Sequence, residues 1–141
     1  MCGSTVAPAV QNRAIEIHDS VLDSISTLDG CVVLDFGAVY IHQSTGTPLR
    51  DAGSGWVQKA RIRIGDAVVD GVFSELPRDL LDGYLTLDGS TLNNEIPIPL
   101  NFSGDVELRM ESWGEAVLVK GRSAILELID EPTYIEEFRP D

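Results

Sequence analysis

The sequence has few of the residues from which metal sites and disulfide frameworks are built. Its 141 residues include two cysteines and two histidines. Cys2 and Cys31 are far apart and lack the paired spacing of a zinc site, so a reduced, cytoplasmic setting is the simplest inference. A disulfide is not needed for stability, because a chain of this length buries roughly two-thirds of its unfolded surface in a single core.

Long apolar runs are also missing. No stretch approaches the roughly 20 apolar residues of a membrane helix, and the first residues contain neither a basic cluster nor the apolar segment of a secretion signal. We therefore expect a soluble protein that does not span a membrane.

Basic residues are scarce. Lysine and arginine together number 10, aspartate and glutamate together number 23, and the formal net charge is -13. Such a charge repels phosphate backbones and anionic lipid, which argues against nucleic-acid and membrane-surface binding. It favours cationic partners, and we expect a basic protein in that role. The plainer interpretation is that the charge only keeps the chain soluble.

Cofactor and catalytic motifs are absent as well. The spacings of phosphate loops, dinucleotide folds, calcium loops and zinc fingers do not occur, so we expect no cofactor. His42, Ser44 and Asp51 allow a serine–histidine–aspartate arrangement to be written down, but residues 52–55 do not complete a nucleophile elbow. We therefore expect a non-catalytic protein.

What the sequence does contain is apolar alternation with a period of two. Residues 31–42 form the longest apolar stretch, and its even positions are expected to face the core, because alternate side chains of a strand point to opposite faces. Asp29 with Gly30, and Asp88 with Gly89, predict tight hairpin turns, since both central residues of a type I′ turn need positive φ.

Glycine and proline complete the pattern. Residues 76–83 predict one short helical turn, and Gly114 is expected at the first central position of a type II′ turn. Pro97 and Pro99 remove two N–H groups from the same strand edge, which predicts an outer strand.

These elements together indicate an all-β fold. The preferred architecture is an antiparallel β-sandwich of about nine or ten short strands with one short helical turn, and a closed β-barrel is the alternative. Residues 1–13 are expected to form a flexible N-terminal tail, and residues 14–141 a single β domain.

Residues 43–55 are built mostly from turn formers and follow the longest strand. A loop this long inside a compact domain is usually a binding or lid loop, or else disordered. We therefore predict a binding or protein-interaction function through this loop and the adjacent rim of the sheet. The residues expected to make contact are His42, Ser44, Arg50, Asp51 and Trp56.

A small-ligand or metal site centred on the two histidines is the alternative. Each histidine ends an apolar run, which places an imidazole at the rim of the sheet. The predicted metal ligands are His18, Asp19 and His42, with Asp35, Ser44 and Asp51 nearby in the chain, and they form a site only if the strand ends meet. The competing interpretation is that both histidines are hydrogen-bonded structural residues.

Three basic residues share one side of one strand. Lys59, Arg61 and Arg63 alternate with apolar residues and admit an anion-binding role. Cross-strand pairing with outward carboxylates such as Glu107 is the favoured interpretation, and Asp35 is expected to pair with Arg61 or Arg63.

A short stretch resembles a known group of proteins. His18-Asp19-Ser20-Val21-Leu22, followed by a strand, an Asp-Gly turn and a longer strand, resembles small bacterial all-β proteins of unassigned function. The resemblance covers the first third of the chain. It implies no activity and transfers no site.

Overall fold

The computed structural model describes residues 12–138 of the chain. Every regular element in that range is a β-strand, and the strands form one antiparallel sheet that curls into a half-barrel. The strands are β1 (Asn12–Leu28), β2 (Cys31–Ser44), β3 (Gly53–Gly65), β4 (Val68–Gly71), β5 (Arg78–Asp79), β6 (Asp82–Leu87), β7 (Ser90–Asn93), β8 (Glu95–Ile98), β9 (Asn101–Ser112) and β10 (Glu115–Phe138). The all-β prediction is confirmed. Among residues 12–138 there is no helix with the length and apolar character needed to cross a membrane.

The tail expected at residues 1–13 lies outside the described residues except for its end. Asn12 and Arg13 belong to β1, where they pair with Ser44 and Gln43 of β2. Strand structure therefore begins two residues earlier than the alternation at Ala14 indicates.

Two long strands organise the sheet. Neighbouring strands follow the order β5, β1, β2, β3, β10, β9, β6 and β7, while β4 pairs with β10 and β8 pairs with β1. Both β1 and β10 change partner along their length. Register shifts interrupt β1 between Glu16 and Ser24, and such bulges bend a strand and increase its twist. The bends allow one sheet to curl around one core.

Three hairpins close through two-residue turns in which both central residues have positive φ. These turns are Asp29-Gly30 (54° and 78°), Asp88-Gly89 (48° and 85°) and Trp113-Gly114 (48° and 80°). The first two confirm the predicted hairpins. The third corrects a prediction, because Gly114 takes the second central position and the turn has the positive φ pair of type I′ instead of type II′.

The strand β2 carries one extra residue relative to β3. Phe36 pairs with Ala60 and Val39 pairs with Gln58, so β2 advances from 36 to 39 while β3 advances only from 60 to 58. An extra residue of this kind reverses which face each following side chain occupies.

This bulge corrects the predicted core face of β2. Even-numbered residues face the core up to Phe36, and beyond the bulge the core residues are Val39 and Ile41. Tyr40 and His42 point to the opposite face. They are nevertheless buried there, with 8% and 2% of their surface exposed.

The core-facing apolar side chains form a single cluster. Its most deeply buried members include Leu22, Leu34, Ile64, Val117 and Val119. Leucine and β-branched residues pack well on a pleated surface, and full burial of each contributes roughly 1.5–3 kcal/mol.

The helical turn predicted at residues 76–83 is wrong. The Leu80 N–H donates to the Ser20 carbonyl oxygen, and the Leu81 N–H donates to the Glu111 carbonyl oxygen, both at 2.9 Å. The backbone groups that a helix would pair internally are thus bonded to neighbouring segments of the sheet. The side chain of Leu80 is buried in the core, which holds this segment extended.

The two prolines lie in or beside β8, as the edge prediction requires. Among the described strands β8 pairs with β1 alone, through Pro97 opposite Ala14 and Ile96 opposite Ile15. Pro99 follows directly after β8. The missing N–H groups agree with a strand that is paired on one side.

Leu34→Ala should destabilise the protein strongly, because Leu34 is fully buried in the core cluster. We expect the free energy of unfolding to fall by about 2–5 kcal/mol. Leu28→Ala is the matched control, since Leu28 is 68% exposed, and we expect it to change stability by no more than about 0.5 kcal/mol. Urea denaturation of both variants measures the difference, and equal losses would contradict the described core.

Candidate functional site

The two histidines meet at one carboxylate. His42 Nε2 lies 2.9 Å from Glu16 Oε2, and His18 Nδ1 lies 3.7 Å from Glu16 Oε1. His18 Nδ1 is also 3.2 Å from Asp19 Oδ2. We call Glu16, His18, Asp19 and His42 the histidine cluster.

Strand register explains why these side chains converge. In the β1–β2 ladder Ala14 pairs with His42 and Glu16 pairs with Tyr40. Tyr40 and His42 share a face of β2 because they are two residues apart, and Glu16 lies on the same face opposite Tyr40. The small side chain of Ala14 leaves room for the Glu16 carboxylate to reach the imidazole diagonally.

The exposed half of the cluster is positioned by a kink in β1. Asp19 has φ 75°, a left-handed conformation that costs a residue with a side chain about 1–3 kcal/mol unless its surroundings hold it. The Ser20 hydroxyl donates to the Glu16 carbonyl oxygen at 2.7 Å and accepts from the Tyr40 N–H at 3.1 Å. These contacts tie the chain next to Asp19 to both β1 and β2, and the Asp19 carboxylate lies 3.2 Å from His18 Nδ1.

Asn94 supports the cluster from the segment between β7 and β8. Its side-chain oxygen accepts from the His18 backbone N–H at 2.7 Å, and its side-chain nitrogen donates to Glu16 Oε1 at 3.3 Å. A single amide therefore fixes both the backbone of one histidine and the carboxylate that joins the two.

Electrostatics favour the ionised form of Glu16. Burial raises the pKa of this carboxyl, but the hydrogen bond and electrostatic attraction of His42, the hydrogen bond of Asn94 and the electrostatic attraction of His18 outweigh burial. The pKa of Glu16 therefore lies below its ordinary value. A carboxylate that stays charged in a half-buried position attracts cations.

Tyr40 continues the polar cluster toward β10. Its ring lies 4.9 Å from that of His42, and its hydroxyl donates to Glu136 Oε2 at 2.6 Å. Burial, followed by the hydrogen bond and charge of Glu136, raises the pKa of Tyr40 above its ordinary value. A side chain at Gly55 would collide with the Tyr40 hydroxyl, so glycine is needed at this position of β3.

Three residues of the histidine cluster carry potential metal-ligand atoms that lie close to one another. One ligand atom each from Glu16, His18 and Asp19 lies within 4.8 Å of the others. The predicted metal ligands are His18, Asp19 and His42. In the structure Glu16 joins His18 and Asp19, and His42 lies behind them as the hydrogen-bond partner of Glu16. The alternation of residues 14–18 already placed Glu16 beside His18, whereas no feature of the sequence indicated Asn94.

The predicted binding loop is shorter and more compact than expected, because β2 and β3 leave only residues 45–52 between them. The Ser44 hydroxyl donates to the Ala52 carbonyl oxygen at 2.8 Å and accepts from the Gly46 N–H at 3.0 Å. The Asp51 carboxylate accepts from the Thr47 N–H at 2.6 Å. These two side chains therefore hold the loop together.

The other predicted contact residues lie around the loop. Arg50 is exposed, and Trp56 is half-buried with its ring 5.3 Å from that of Tyr134. A crevice of about 90 Å³ opens beside Trp56. It is lined by Arg13, Ile41, Gln43, Trp56 and Pro132.

Two of the three basic residues of the β3 ladder, Arg61 and Arg63, pair with carboxylates. Arg61 Nε lies 2.7 Å from Asp35 Oδ1, and Arg61 and Arg63 both lie within 3.8 Å of Glu127 Oε1. Asp35 therefore pairs as expected, but Glu107 contacts Lys120 instead of this ladder. These pairings supply the charge neutralisation expected of a structural ladder.

Comparisons with protein-family models, with curated proteins and with solved structures find no match to this chain. The functional interpretation therefore comes from the geometry of these residues.

Glu16→Gln should change the pH dependence of stability. A carboxyl with a lowered folded-state pKa stabilises the fold above its unfolded pKa, and this stabilisation is lost as the pH falls through the folded pKa. We expect the substitution to lower the free energy of unfolding by about 1–3 kcal/mol near neutral pH, with a smaller deficit in acid. Urea denaturation with a chelator present, from neutral pH down to about pH 3, tests this. A constant deficit over the range would contradict it.

Proposed function

We propose that the histidine cluster binds a divalent transition-metal ion through Glu16, His18 and Asp19. The spacing of the ligand atoms carries this proposal. His18 Nδ1 lies 3.2 Å from Asp19 Oδ2 and 3.7 Å from Glu16 Oε1. Bonds of about 2.1 Å at tetrahedral angles separate ligand atoms by about 3.4 Å, so both distances from His18 are close to those between two ligands of one ion.

The chemistry and accessibility of the three groups support the same ion class. One imidazole nitrogen and two carboxylate oxygens suit Zn²⁺ and neighbouring divalent ions. The side chains of His18 and Asp19 are 47% and 56% exposed, so an ion can enter from solvent and keep water in its remaining positions.

His42 and Asn94 support the proposed ligands from behind. Both contact the carboxylate of Glu16, and Asn94 also holds the backbone of His18. Groups that orient a metal ligand in this way commonly contribute about 10- to 100-fold to metal affinity, and we expect His42 to contribute on that scale.

Metal titration tests the proposal. We expect the chelator-treated protein to bind Co²⁺ saturably, with visible absorption that Zn²⁺ abolishes by competition. His18→Ala should remove this signal and leave the circular dichroism unchanged, because His18 is exposed. His42→Gln should weaken binding by about 10–100-fold.

Glu75→Ala is the matched control, since Glu75 is an exposed carboxylate outside the cluster. It should bind Co²⁺ like the unmodified chain. If the unmodified protein shows no saturable binding, or if His18→Ala binds equally well, the cluster is an ion-pair network and the metal proposal is wrong.

We propose protein interaction as a second function, through the loop and the rim predicted from residues 43–55. The observation that favours it is the crevice beside Trp56, where the half-buried indole ring lies next to the exposed Pro132 and above the buried Ile41. Its size suits one small apolar side chain of a partner, and aromatic residues with a polar edge are typical anchors of interfaces.

Trp56→Ala should weaken such an interaction selectively. With immobilised protein as bait, we expect a source-cell partner to be retained by the unmodified chain and lost with Trp56→Ala. Leu81→Ala, which removes an apolar side chain that is 37% exposed elsewhere, should retain it. Equal retention by both variants would contradict a role for the crevice.

We also propose that the finer architecture is a sandwich instead of a closed barrel. Support comes from β4 and β8, each of which pairs with one neighbour among the described strands. A continuous ring of hydrogen-bonded strands in an experimental structure would show that the closed barrel is correct.

A further inference from the structure

The strand β4 lies at an open edge of the sheet. It pairs with β10 from Val68 opposite Lys120 to Gly71 opposite Val117, and β10 is its one partner among the described strands. The ladder between β2 and β3 ends with Val32 opposite Ile64, before β4 begins. The side of β4 that faces away from β10 therefore offers backbone groups for a further strand.

Exposed apolar side chains concentrate on and beside this edge. Val68 is 68% exposed, Val69 38% and Val72 74%. Natural edge strands are usually protected by charge, proline or a covering segment. The one charged residue within β4 is Asp70, and the exposed valines leave the rest of this edge open to another chain.

The charges around β4 indicate which kind of partner chain could bind at this edge. Lys120 and Arg122 of β10 are paired with Glu107 and Asp105. Asp66 and Asp70, which precede and belong to β4, are exposed. A second copy of the chain would bring another net charge of -13, whereas a basic segment would be attracted.

We infer that β4 accepts an extended, basic segment of a partner protein as an additional antiparallel or parallel strand. Backbone hydrogen bonds along the edge would supply affinity. Val68 on one face of the sheet and Val69 on the other would each contact an apolar side chain of the segment. This interaction is separate from the metal site in the histidine cluster, so either proposal can fail without the other.

A short peptide of alternating lysine and valine is the probe. We expect it to bind the full chain in a fluorescence anisotropy titration, with affinity that falls as salt rises. The same peptide with glutamate in place of lysine should not bind. A lysine–valine peptide N-methylated at alternate residues, on the edge that would pair with β4, should bind at least about tenfold more weakly, because its N–H groups are removed.

Two variants locate the binding surface. Val68→Lys should weaken binding of the lysine–valine peptide by at least about tenfold, because it adds a charge of the same sign as the peptide and removes apolar surface. Ile125→Lys is the matched control, since Ile125 is 44% exposed on a stretch of β10 that pairs with both β3 and β9. It should bind the peptide like the unmodified chain, and circular dichroism should show that both variants are folded.

Three results would overturn the inference. Binding that survives N-methylation would show general charge attraction without strand addition. Equal effects of Val68→Lys and Ile125→Lys would place the peptide elsewhere. A dimer of the unmodified chain in light scattering that Val68→Lys dissociates would make a second copy the occupant of β4.

Discussion

The extra residue of β2 is the constraint on which both the core and the histidine cluster depend. Without it, Tyr40 and His42 would continue the core face begun by Phe36, and Val39 and Ile41 would face outward. With it, one strand supplies apolar side chains to the core along its whole length. The same shift places an imidazole and a phenol on the opposite face, where Glu16 of β1 can reach them.

The sequence was most informative where structure is set locally. The Asp-Gly turns at residues 29–30 and 88–89 were predictable because positive φ at two successive residues restricts the amino acids that fit. The bulge in β2 was not predictable from the sequence, because a bulge is defined by the pairing of β2 with β3 and not by β2 alone. The prediction of a helical turn was wrong for a similar reason. The N–H groups of Leu80 and Leu81 donate to carbonyl oxygens of distant segments, which the local sequence does not reveal.

The candidate site likewise has some features that the sequence predicts and others that depend on contacts between distant segments. The adjacency of His18 and Asp19, and the common face of Glu16 and His18, follow from position in the chain. The approach of His42 depends on the register between two strands, and Asn94 comes from a segment far along the sequence. A pattern of one strand can therefore suggest donor groups, but it cannot show which of them share a partner.

The position of β10 in the chain has a consequence for biosynthesis. This strand pairs with β3, β4 and β9, all of which precede it. While a ribosome is still making the chain, those strands have unpaired edges, and the apolar side chains that β10 will cover are accessible to other nascent chains. The pairings of β10 with β3 and β4 consequently form late and join distant segments of the chain. Such pairings fold slowly compared with local hairpins such as β1 with β2 or β9 with β10.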